Sequence, residues 1–295
     1  MNLSALKQMR RIANFLSGKG WFPLPQSLAR RAFRNARGTV TVIDYDGDLT
    51  MDLSLSEHMQ RRIFWMGFYS QGVVALIKRT VTEGMTVLDV GANVGEITLV
   101  CSKLVGTSGH VFAFEPAERI RESLTRNVNA NAIKNVSISS VGLADYDGSA
   151  TIYESCGQGA PDDEHHGLGS LYGNPSEHCS LGVIKITQLD RVCEELSIQR
   201  IDLIKIDVEG AELACLRGAK NIISSMRPRI IIEIQAYSSH RAGYDQGDIL
   251  DFLSTFGYEF HLIDARGKTT PILKESLGTY QNVYCTPSSP PPQTP

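Results

Sequence analysis

The sequence predicts an α/β protein built on a doubly wound, mostly parallel sheet. From Met85 onward, apolar strand-like runs alternate with helical stretches that repeat about every 3.6 residues, which is typical of a parallel sheet covered by helices on both faces. The chain has 295 residues, of which 42% are hydrophobic and 21% are charged. This length and composition suit one large domain with additional N-terminal structure.

Seven strands are expected, at residues 86–90, 110–115, 136–141, 201–207, 229–235, 259–263 and 282–285. Helices are expected at about residues 95–104, 119–130, 189–195, 211–226 and 246–256. Between residues 151 and 185 glycine and proline interrupt the alternation, which predicts an irregular insertion or lid that can include a short hairpin. The chain thus divides into a lead-in (1–58), a main domain (59–286) and a disordered proline-rich tail (287–295).

The lead-in is predicted to begin with an amphipathic basic helix at residues 3–16, followed by a strand at 39–44 and a helix at 59–82. The apolar side of the first helix consists of Leu6, Met9, Ile12, Ala13 and Leu16, and the polar side of Lys7, Arg10, Arg11 and Asn14. Two interpretations remain open. The apolar side packs on the domain, or the helix lies peripherally on an anionic membrane surface.

Charge and cysteine usage exclude several classes of protein. The formal net charge of −3 gives no general field for nucleic acid, so no nucleic-acid partner is expected. The six cysteines form no Cys-x-x-Cys pair, which argues against a zinc site or a disulfide framework. No apolar run approaches the roughly 20 residues of a membrane span, and no signal peptide is evident. A cytoplasmic location is therefore expected.

A glycine turn after the first main strand predicts a nucleotide-like cofactor. The strand ends in a tight turn from Gly91 to Gly95, and a helix follows. The nicotinamide fingerprint needs a second glycine where Asn93 stands, and Asp89 would repel a pyrophosphate. A carboxylate instead suits the ammonium and sulfonium of S-adenosylmethionine.

Two further acids are candidate cofactor ligands. Glu115 closes the next strand 24 positions after Gly91, close to the roughly 20-residue offset at which an acid reaches a ribose diol. Asp145, after the third strand, could reach the adenine amino group, although the sequence around it also forms a good turn. The predicted cofactor-binding set is Asp89, Gly91, Asn93, Gly95, Glu115 and Asp145.

Four segments together resemble the FkbM-type methyltransferases: residues 87–95 (VLDVGANVG), 112–116 (FAFEP), 204–212 (IKIDVEGAE) and 231–235 (IIEIQ). The resemblance covers roughly residues 60 to 265. It implies a seven-stranded class I (Rossmann-like) sheet and S-adenosylmethionine-dependent O-methylation of a hydroxyl on a sugar, polyketide or similar small metabolite or glycan. A nicotinamide-dependent oxidoreductase and a non-catalytic S-adenosylmethionine-binding module are the alternatives.

Carboxylates on two neighbouring strands are the candidate reactive centre. Asp207 and Glu209, two positions apart at a strand end, are expected to face the ligand crevice together. Glu233 lies within the next apolar strand, where a charge needs a partner or a purpose. Lys205 completes the catalytic set, or forms a structural ion pair with Glu233.

Two chemical routes fit these residues. A carboxylate takes the proton of the acceptor hydroxyl, or Asp207, Glu209 and Glu233 hold a Mg²⁺ that lowers the pKa of that hydroxyl. His165 and His166, in the insertion, are a further candidate base.

Overall fold

A computed structural model describes residues 3–18, 24–154, 169–173 and 178–288, and they form the predicted α/β fold. The strands are β1 (Thr39–Tyr45), β2 (Leu49–Ser54), β3 (Thr86–Val90), β4 (His110–Phe114), β5 (Val136–Ser139), β6 (Gly142–Leu143), β7 (Gly148–Glu154), β8 (Gly169–Ser170), β9 (Ser180–Thr187), β10 (Leu203–Ile206), β11 (Arg229–Gln235), β12 (Tyr258–Ile263), β13 (Thr269–Pro271) and β14 (Tyr280–Pro287). The helices are α1 (Leu3–Gly18), α2 (Leu24–Ala32), α3 (His58–Met66), α4 (Gln71–Thr80), α5 (Glu96–Val105), α6 (Glu118–Ala130), α7 (Leu189–Glu195), α8 (Glu212–Arg217), α9 (Lys220–Ser225), α10 (Ala236–Arg241) and α11 (Gly247–Ser254).

The main sheet has the strand order β13-β12-β14-β11-β10-β3-β4-β5. Strands β5, β4, β3, β10 and β11 are parallel, and β14 runs antiparallel between β11 and β12. From β3 the chain moves outward to β4 and β5, then returns to place β10 on the other side of β3. This reversal creates a crevice at the carboxyl ends of β3 and β10, where such sheets bind ligands.

The sheet contains eight described strands, not the seven expected from the sequence. All seven predicted strands are present, and the additional strand is β13, which pairs antiparallel with β12. The sequence did not predict β13 because three residues, two threonines and a proline, are too short to show an alternating pattern.

A second, four-stranded sheet, with the order β6-β9-β7-β8, includes the described part of the predicted insertion. Strand β9 pairs antiparallel with β7 and buries Ile184 and Ile186 against Ile152 and Ala144. The expected insertion at residues 151–185 is thus flanked by regular structure, because the antiparallel pair β7 and β9 encloses it in the manner of the predicted hairpin. Residues 155–168 and 174–177 lie outside the described residues.

Two predicted helices are each divided by a glycine. The helix expected at 59–82 is α3 followed by α4, because the chain turns at Gly67, whose φ is +88°. The helix expected at 211–226 is α8 followed by α9 around Gly218. A Cβ on Gly218 would lie 2.0 Å from the carbonyl oxygen of Ala144. Only glycine therefore lets the end of α8 approach the segment after β6 this closely.

Helix α1 buries a different face from the predicted one. Leu6, Arg10 and Ala13 are buried, whereas Met9 and Ile12, expected on the same apolar side as Leu6, are exposed. Arg10 determines this orientation: its Nη1 donates to both carboxylate oxygens of Asp44 at 2.6 Å, and its Nε donates to the carbonyl of Phe64. The guanidinium also lies over the Phe64 ring. A cation assigned to the solvated side therefore anchors the helix.

This anchor predicts a loss of stability in Arg10→Met. The substitution keeps the apolar stem but removes charged hydrogen bonds, so the free energy of unfolding should fall by about 1.5–3 kcal/mol. Arg11→Met is the matched control, because Arg11 is exposed on the same helix, and it should change the free energy by less than about 0.5 kcal/mol. Urea unfolding followed by circular dichroism measures both. Equal values for the two variants would contradict the anchoring role.

Candidate active site

A cavity of about 1080 Å³, including space open to solvent, lies at the carboxyl ends of β3, β4, β10 and β11. It is lined by Met59, Tyr69, Ser70, Asp89, Val90, Gly91, Ala92, Asn93, Glu96, Ile97, Phe114, Glu115, Pro116, Val141, Gly142, Leu143, Ile152, Gly169, Leu171, Ile184, Lys205, Asp207, Val208, Glu209, Ala211 and Glu233. The structure thus brings most of the predicted cofactor and catalytic residues to one cavity. The exceptions are Gly95, directly behind the lining turn, and Asp145.

The glycine turn joins β3 to α5 and to the neighbouring strands. Gly91 and Ala92 both donate their N–H groups to the carbonyl of Phe114 at 3.0 Å. Gly91 has a φ of +79°, and a Cβ there would lie 1.8 Å from the carbonyl oxygen of Asp207. The sequence suggested that Gly91 is needed for close approach of a ligand. The structure shows that it is needed for close approach of the turn that follows β10, residues 207–210, which is called the β10 turn below.

Asp89 is a buried residue of β3 beside the cavity. The Thr98 hydroxyl donates to its Oδ2 at 2.5 Å. Burial raises the pKa of Asp89 to about 6, although the hydrogen bond from Thr98 and the charge of Lys205 act in the opposite direction. A cation in the cavity would favour the ionised carboxylate, which agrees with the positively charged ligand that the sequence predicts.

Glu115 follows β4 and faces the glycine turn. Its Oε2 accepts the N–H of Asn93, and its Oε1 accepts the N–H of Ala117, both at 3.0 Å. Burial raises the pKa of Glu115 to about 7, while these two N–H groups lower it. A carboxylate has about four acceptor positions, so this arrangement leaves capacity for the hydroxyls of a ribose.

Asp145 does not join this group. The chain leaves the main sheet after β5, forms β6, and places Asp145 on the surface, where its carbonyl accepts from the side chain of Gln188. The described residues at this end of the cavity are mostly apolar, including Phe114, Val141 and Leu143. An adenine ring would therefore contact apolar surface, and the turn interpretation of the sequence around Asp145 describes this residue better.

Glu96 also lines the cavity, although it was not among the residues predicted from the sequence. It is buried at the first position of α5, and its Oε1 accepts the N–H groups of Tyr69 and Ser70 at 2.5 and 3.2 Å. Burial raises the pKa of Glu96 to about 7 against these hydrogen bonds. An acid in the first helical turn was visible in the sequence, but its partners lie 26 and 27 positions away.

Asp207, Glu209 and Glu233 converge on one side of the cavity, and β4 with Glu115 lies on the opposite side. One carboxylate oxygen from each lies within 4.8 Å of the others. The sequence suggested that Asp207 and Glu209 face the same way because they alternate along a strand. In the structure β10 ends at Ile206, and Glu209 instead lies in a left-handed turn with a φ of +51°. The parallel pairing of β10 with β11 then brings Glu233 alongside.

Lys205 places its ammonium at this cluster. Its Nζ lies 3.0 Å from Oδ2 of Asp207, so the buried ion pair is formed with Asp207 rather than with Glu233. Burial alone lowers the pKa of Lys205, but Asp207 and Glu233 more than compensate and raise it above its usual value. These two carboxylates therefore favour the protonated, cationic form of Lys205.

The surroundings of Glu233 strongly disfavour its charged form. Burial and the neighbouring Asp207 raise the pKa of Glu233 well above its usual value, whereas Lys205 lowers it. The hydroxyl of Tyr280 donates to Oε2 of Glu233 at 2.7 Å. Tyr280 was not predictable from local sequence, because its position opposite Gln235 depends on the register of the antiparallel strand β14.

The described residues of the insertion cover the β10 turn. Ser170 donates its hydroxyl to the carbonyl of Glu209 at 2.8 Å, and the ring of Tyr172 lies against Gly210. Arg241 of α10 holds Tyr172 by donating to its carbonyl at 2.5 Å. His165 and His166, the further candidate base, lie outside the described residues.

The charge of the cavity selects the class of cofactor. Its lining includes six carboxylates, from Asp89, Glu96, Glu115, Asp207, Glu209 and Glu233, and one ammonium, from Lys205. A pyrophosphate would face repulsion here, and a ligand with an ammonium and a sulfonium would be attracted. The donor set and the turn therefore fit S-adenosylmethionine.

Glu115 provides a test of this electrostatic fit. Because its pKa is raised to about 7, the carboxylate is protonated below that pH and ionised above it. Affinity for S-adenosylmethionine should therefore increase as the pH rises from 6 to 8. Glu115→Gln should weaken binding at pH 8 by about 5- to 150-fold, the equivalent of about 1–3 kcal/mol. It should also reduce the pH dependence, of which Asp89 and Glu96 keep a part.

Titration calorimetry measures both effects. Glu118→Gln, an exposed glutamate at the start of α6, is the matched control and should keep the affinity and pH dependence of the unmodified protein. An affinity of Glu115→Gln that equals this control at pH 8 would remove Glu115 from the donor site.

Comparison with known proteins agrees with this site. The family model described as the methyltransferase FkbM domain matches residues 89–260. The chain is 29% identical over 187 residues to the hexuronic acid methyltransferase AglP of Haloferax volcanii, covering 62% of this chain and 67% of AglP. It is 27% identical over 179 residues to the 2-O-methyltransferase NoeI of Sinorhizobium fredii, covering 58% of this chain and 71% of NoeI.

A third relative is the AMB antimetabolite synthetase AmbE of Pseudomonas aeruginosa, with 26% identity over 237 residues. The match covers 71% of this chain but only 11% of AmbE. The similarity to AmbE therefore concerns a small part of a much longer protein.

The matched segment contains the glycine turn, Glu115, the β10 turn and Glu233, whereas Met59, Tyr69 and Ser70 of the cavity lining precede it. The family match excludes the nicotinamide-dependent oxidoreductase. The chain belongs to the FkbM methyltransferase domain family and is an S-adenosylmethionine-dependent methyltransferase.

Proposed function

We propose that this methyltransferase acts on a hydroxyl oxygen of a sugar-like acceptor, and that Glu233 receives the hydroxyl proton. The observation that carries the proposal is the convergence of Asp207, Glu209 and Glu233 within 4.8 Å at the cavity. An alcohol is a poor nucleophile at neutral pH, so transfer to it needs a nearby group that accepts the proton.

The donor side of the cavity has its own residues. When bound, S-adenosylmethionine supplies a methyl group on a positively charged sulfur. Glu115 accepts hydrogen bonds from the ribose, Asp89 contributes negative charge beside the glycine turn, and the apolar surface at Phe114 and Leu143 receives the base. Asn93 holds the turn, since its left-handed φ of +49° directs its N–H to Glu115.

Glu233 is the favoured base for two reasons. Its raised pKa makes its carboxylate a stronger base than an ordinary one, and it is still ionised at sufficiently high pH. Asp207 is already bound to Lys205, which neutralises it. Asp207 and Lys205 therefore act as positioning residues, and Glu209 contributes negative charge to the same cluster.

The negative cluster also indicates the kind of acceptor atom. A carboxylate acceptor would be repelled by Asp207, Glu209 and Glu233, whereas a neutral hydroxyl can donate a hydrogen bond to them. The product would then be a methyl ether. The names of AglP and NoeI, a hexuronic acid methyltransferase and a 2-O-methyltransferase, favour a carbohydrate as the carrier of that hydroxyl.

A bound Mg²⁺ is the alternative route. The three converging carboxylates supply oxygen ligands of the kind that Mg²⁺ prefers. The ammonium of Lys205 already lies 3.0 Å from Asp207, however, and its positive charge opposes a second cation at the same place. Turnover that is unchanged by EDTA supports the base, and activity that EDTA abolishes and Mg²⁺ restores would favour the metal.

The proposal is tested by incubating the protein with methyl-labelled S-adenosylmethionine and a panel of neutral sugars, uronic acids and simple phenols. We expect label in a carbohydrate, in a methyl ether that survives mild alkali. An alkali-labile methyl ester, or label in the phenols alone, would contradict the proposed acceptor. The variant Glu233→Gln, assayed beside it, identifies transfer that depends on this cavity.

A further inference from the structure

The N-terminal helices expose apolar side chains that the fold does not use. On α1, Met9 is 38% exposed and Ile12 is 53% exposed, and on α2 Leu28 is 59% exposed. The two helices contact each other, as the hydrogen bond from Gln26 to Asn14 at 2.9 Å shows. Leu6, Arg10 and Ala13 face the domain instead. The exposed apolar residues of α1 and α2 therefore do not contribute to packing against the domain.

The same segment carries only positive charge. No Asp or Glu occurs between Met1 and Ile43. The exposed cations of α1, of α2 and of the residues that follow α2 are Lys7, Arg11, Arg31, Arg34 and Arg37. Arg10 is not one of them, because it is buried and paired with Asp44. The rest of the chain is acidic enough to bring the formal net charge to −3.

We propose that α1 and α2 form a peripheral docking surface for an anionic lipid bilayer. Met9, Ile12 and Leu28 enter the boundary between headgroups and acyl chains, and the surrounding cations contact the lipid phosphates. The buried Arg10 keeps α1 attached to the domain, so the helix presents these residues as part of a fixed surface.

Apolar and cationic residues together distinguish a bilayer from other partners. A nucleic acid would engage the cations but gives no reason for Met9, Ile12 and Leu28 to be exposed. A second copy of the chain would place two positively charged helix pairs against each other, with no acid in this segment to offset the repulsion. An anionic bilayer satisfies both kinds of residue.

Helix α3 connects the domain-facing side of α1 with the active site. Phe64 accepts the hydrogen bond from Arg10, and Met59, on the same helix, lines the cavity. These two residues are about 7.5 Å apart along the helix axis. No described helix combines the length and the apolarity needed to cross a membrane. The inference does not depend on which acceptor is methylated.

The test is vesicle co-sedimentation of the full chain. We expect binding to phosphatidylcholine vesicles that contain 30% phosphatidylserine (chosen so that about one lipid in three is anionic), and little binding to pure phosphatidylcholine. Replacing Lys7, Arg11, Arg31 and Arg34 with Gln should lower the partition coefficient by more than about a hundredfold, since each cation contributes about fivefold. Replacing Met9, Ile12 and Leu28 with Ser should lower it by at least about tenfold.

A matched charge control carries Arg119, Lys134, Lys185 and Lys220 as Gln, which removes the same charge from exposed positions elsewhere. It should retain most of the binding, and circular dichroism should show that every variant is folded. The proposal is overturned by failure of the unmodified chain to bind anionic vesicles, or by equal losses in the two charge variants. It is also overturned if ultracentrifugation shows a dimer that the Ser variant dissociates and vesicles do not bind.

Discussion

Replacing Glu233 by glutamine should slow methyl transfer by roughly 10²- to 10⁴-fold while affinity for S-adenosylmethionine stays close to normal. The substitution keeps the shape of the side chain and its contact with Tyr280 but removes the group that accepts the proton. Single-turnover rates measure the chemical step, and calorimetry measures donor binding. The two effects should separate, because Glu115 and the glycine turn follow β4 and β3, whereas Glu233 lies on β11.

The pH dependence of the unmodified enzyme supports or contradicts the same assignment. A raised pKa means that Glu233 is protonated at low pH, so kcat should increase with pH through a value well above that of an ordinary carboxyl. Asp207→Asn removes a charge that raises this pKa, so the rise should move to lower pH. Tyr280→Phe removes a hydrogen bond that lowers the pKa, so the rise should move to higher pH.

Glu259→Gln is the matched control, since this exposed glutamate lies on β12 of the same sheet. It should change neither the rate nor the pH profile. If Glu233→Gln retains full turnover, or if the Asn and Phe variants shift the profile in the same direction, Glu233 is not the base.

The donor side of the site was largely predictable from local sequence. A buried strand, a glycine turn and a strand-terminal acid are consecutive features, and the carboxyl ends of parallel strands meet at one edge of a sheet. The turn from Gly91 to Gly95 and Glu115 are indeed adjacent in the structure, through the hydrogen bond from Asn93. Asp145 lies outside the cavity lining, and no local pattern shows that the chain transfers to the second sheet at Gly142.

Contacts over long sequence distances were not predictable in the same way. Arg10 forms hydrogen bonds with Asp44 and Phe64, 34 and 54 positions away. These bonds turn a different face of α1 toward the domain from the one that the hydrophobic pattern predicts. Tyr280 reaches Glu233 across 47 positions. In α1 the polar contacts of Arg10 outweigh the preference of Met9 and Ile12 for burial. A helical wheel or an alternating pattern contains no information about either of these long-range contacts.

Gly91→Ala should have the largest combined effect on stability and function. The new Cβ would lie 1.8 Å from the carbonyl oxygen of Asp207 and 2.9 Å from its carbonyl carbon, and a φ of +79° is itself unfavourable for alanine. Backbone cannot move aside as a side chain can, so β3 and the β10 turn must separate. We expect the affinity for S-adenosylmethionine to fall by more than about a hundredfold, and the free energy of unfolding by about 3 kcal/mol or more.

Gly84→Ala separates the steric effect from the backbone effect. Gly84 has almost the same φ, +82°, but a Cβ there meets only Ser108 Oγ, at 3.6 Å. This control should therefore cost about 1–2 kcal/mol of stability and leave donor binding unchanged. Because the carbonyl that Gly91 accommodates belongs to Asp207, Gly91→Ala should also displace the turn that positions Asp207 and Glu209, and the slow methyl transfer should persist at saturating donor. Normal transfer at saturating donor would show that the glycine turn and the carboxylate cluster are mechanically independent.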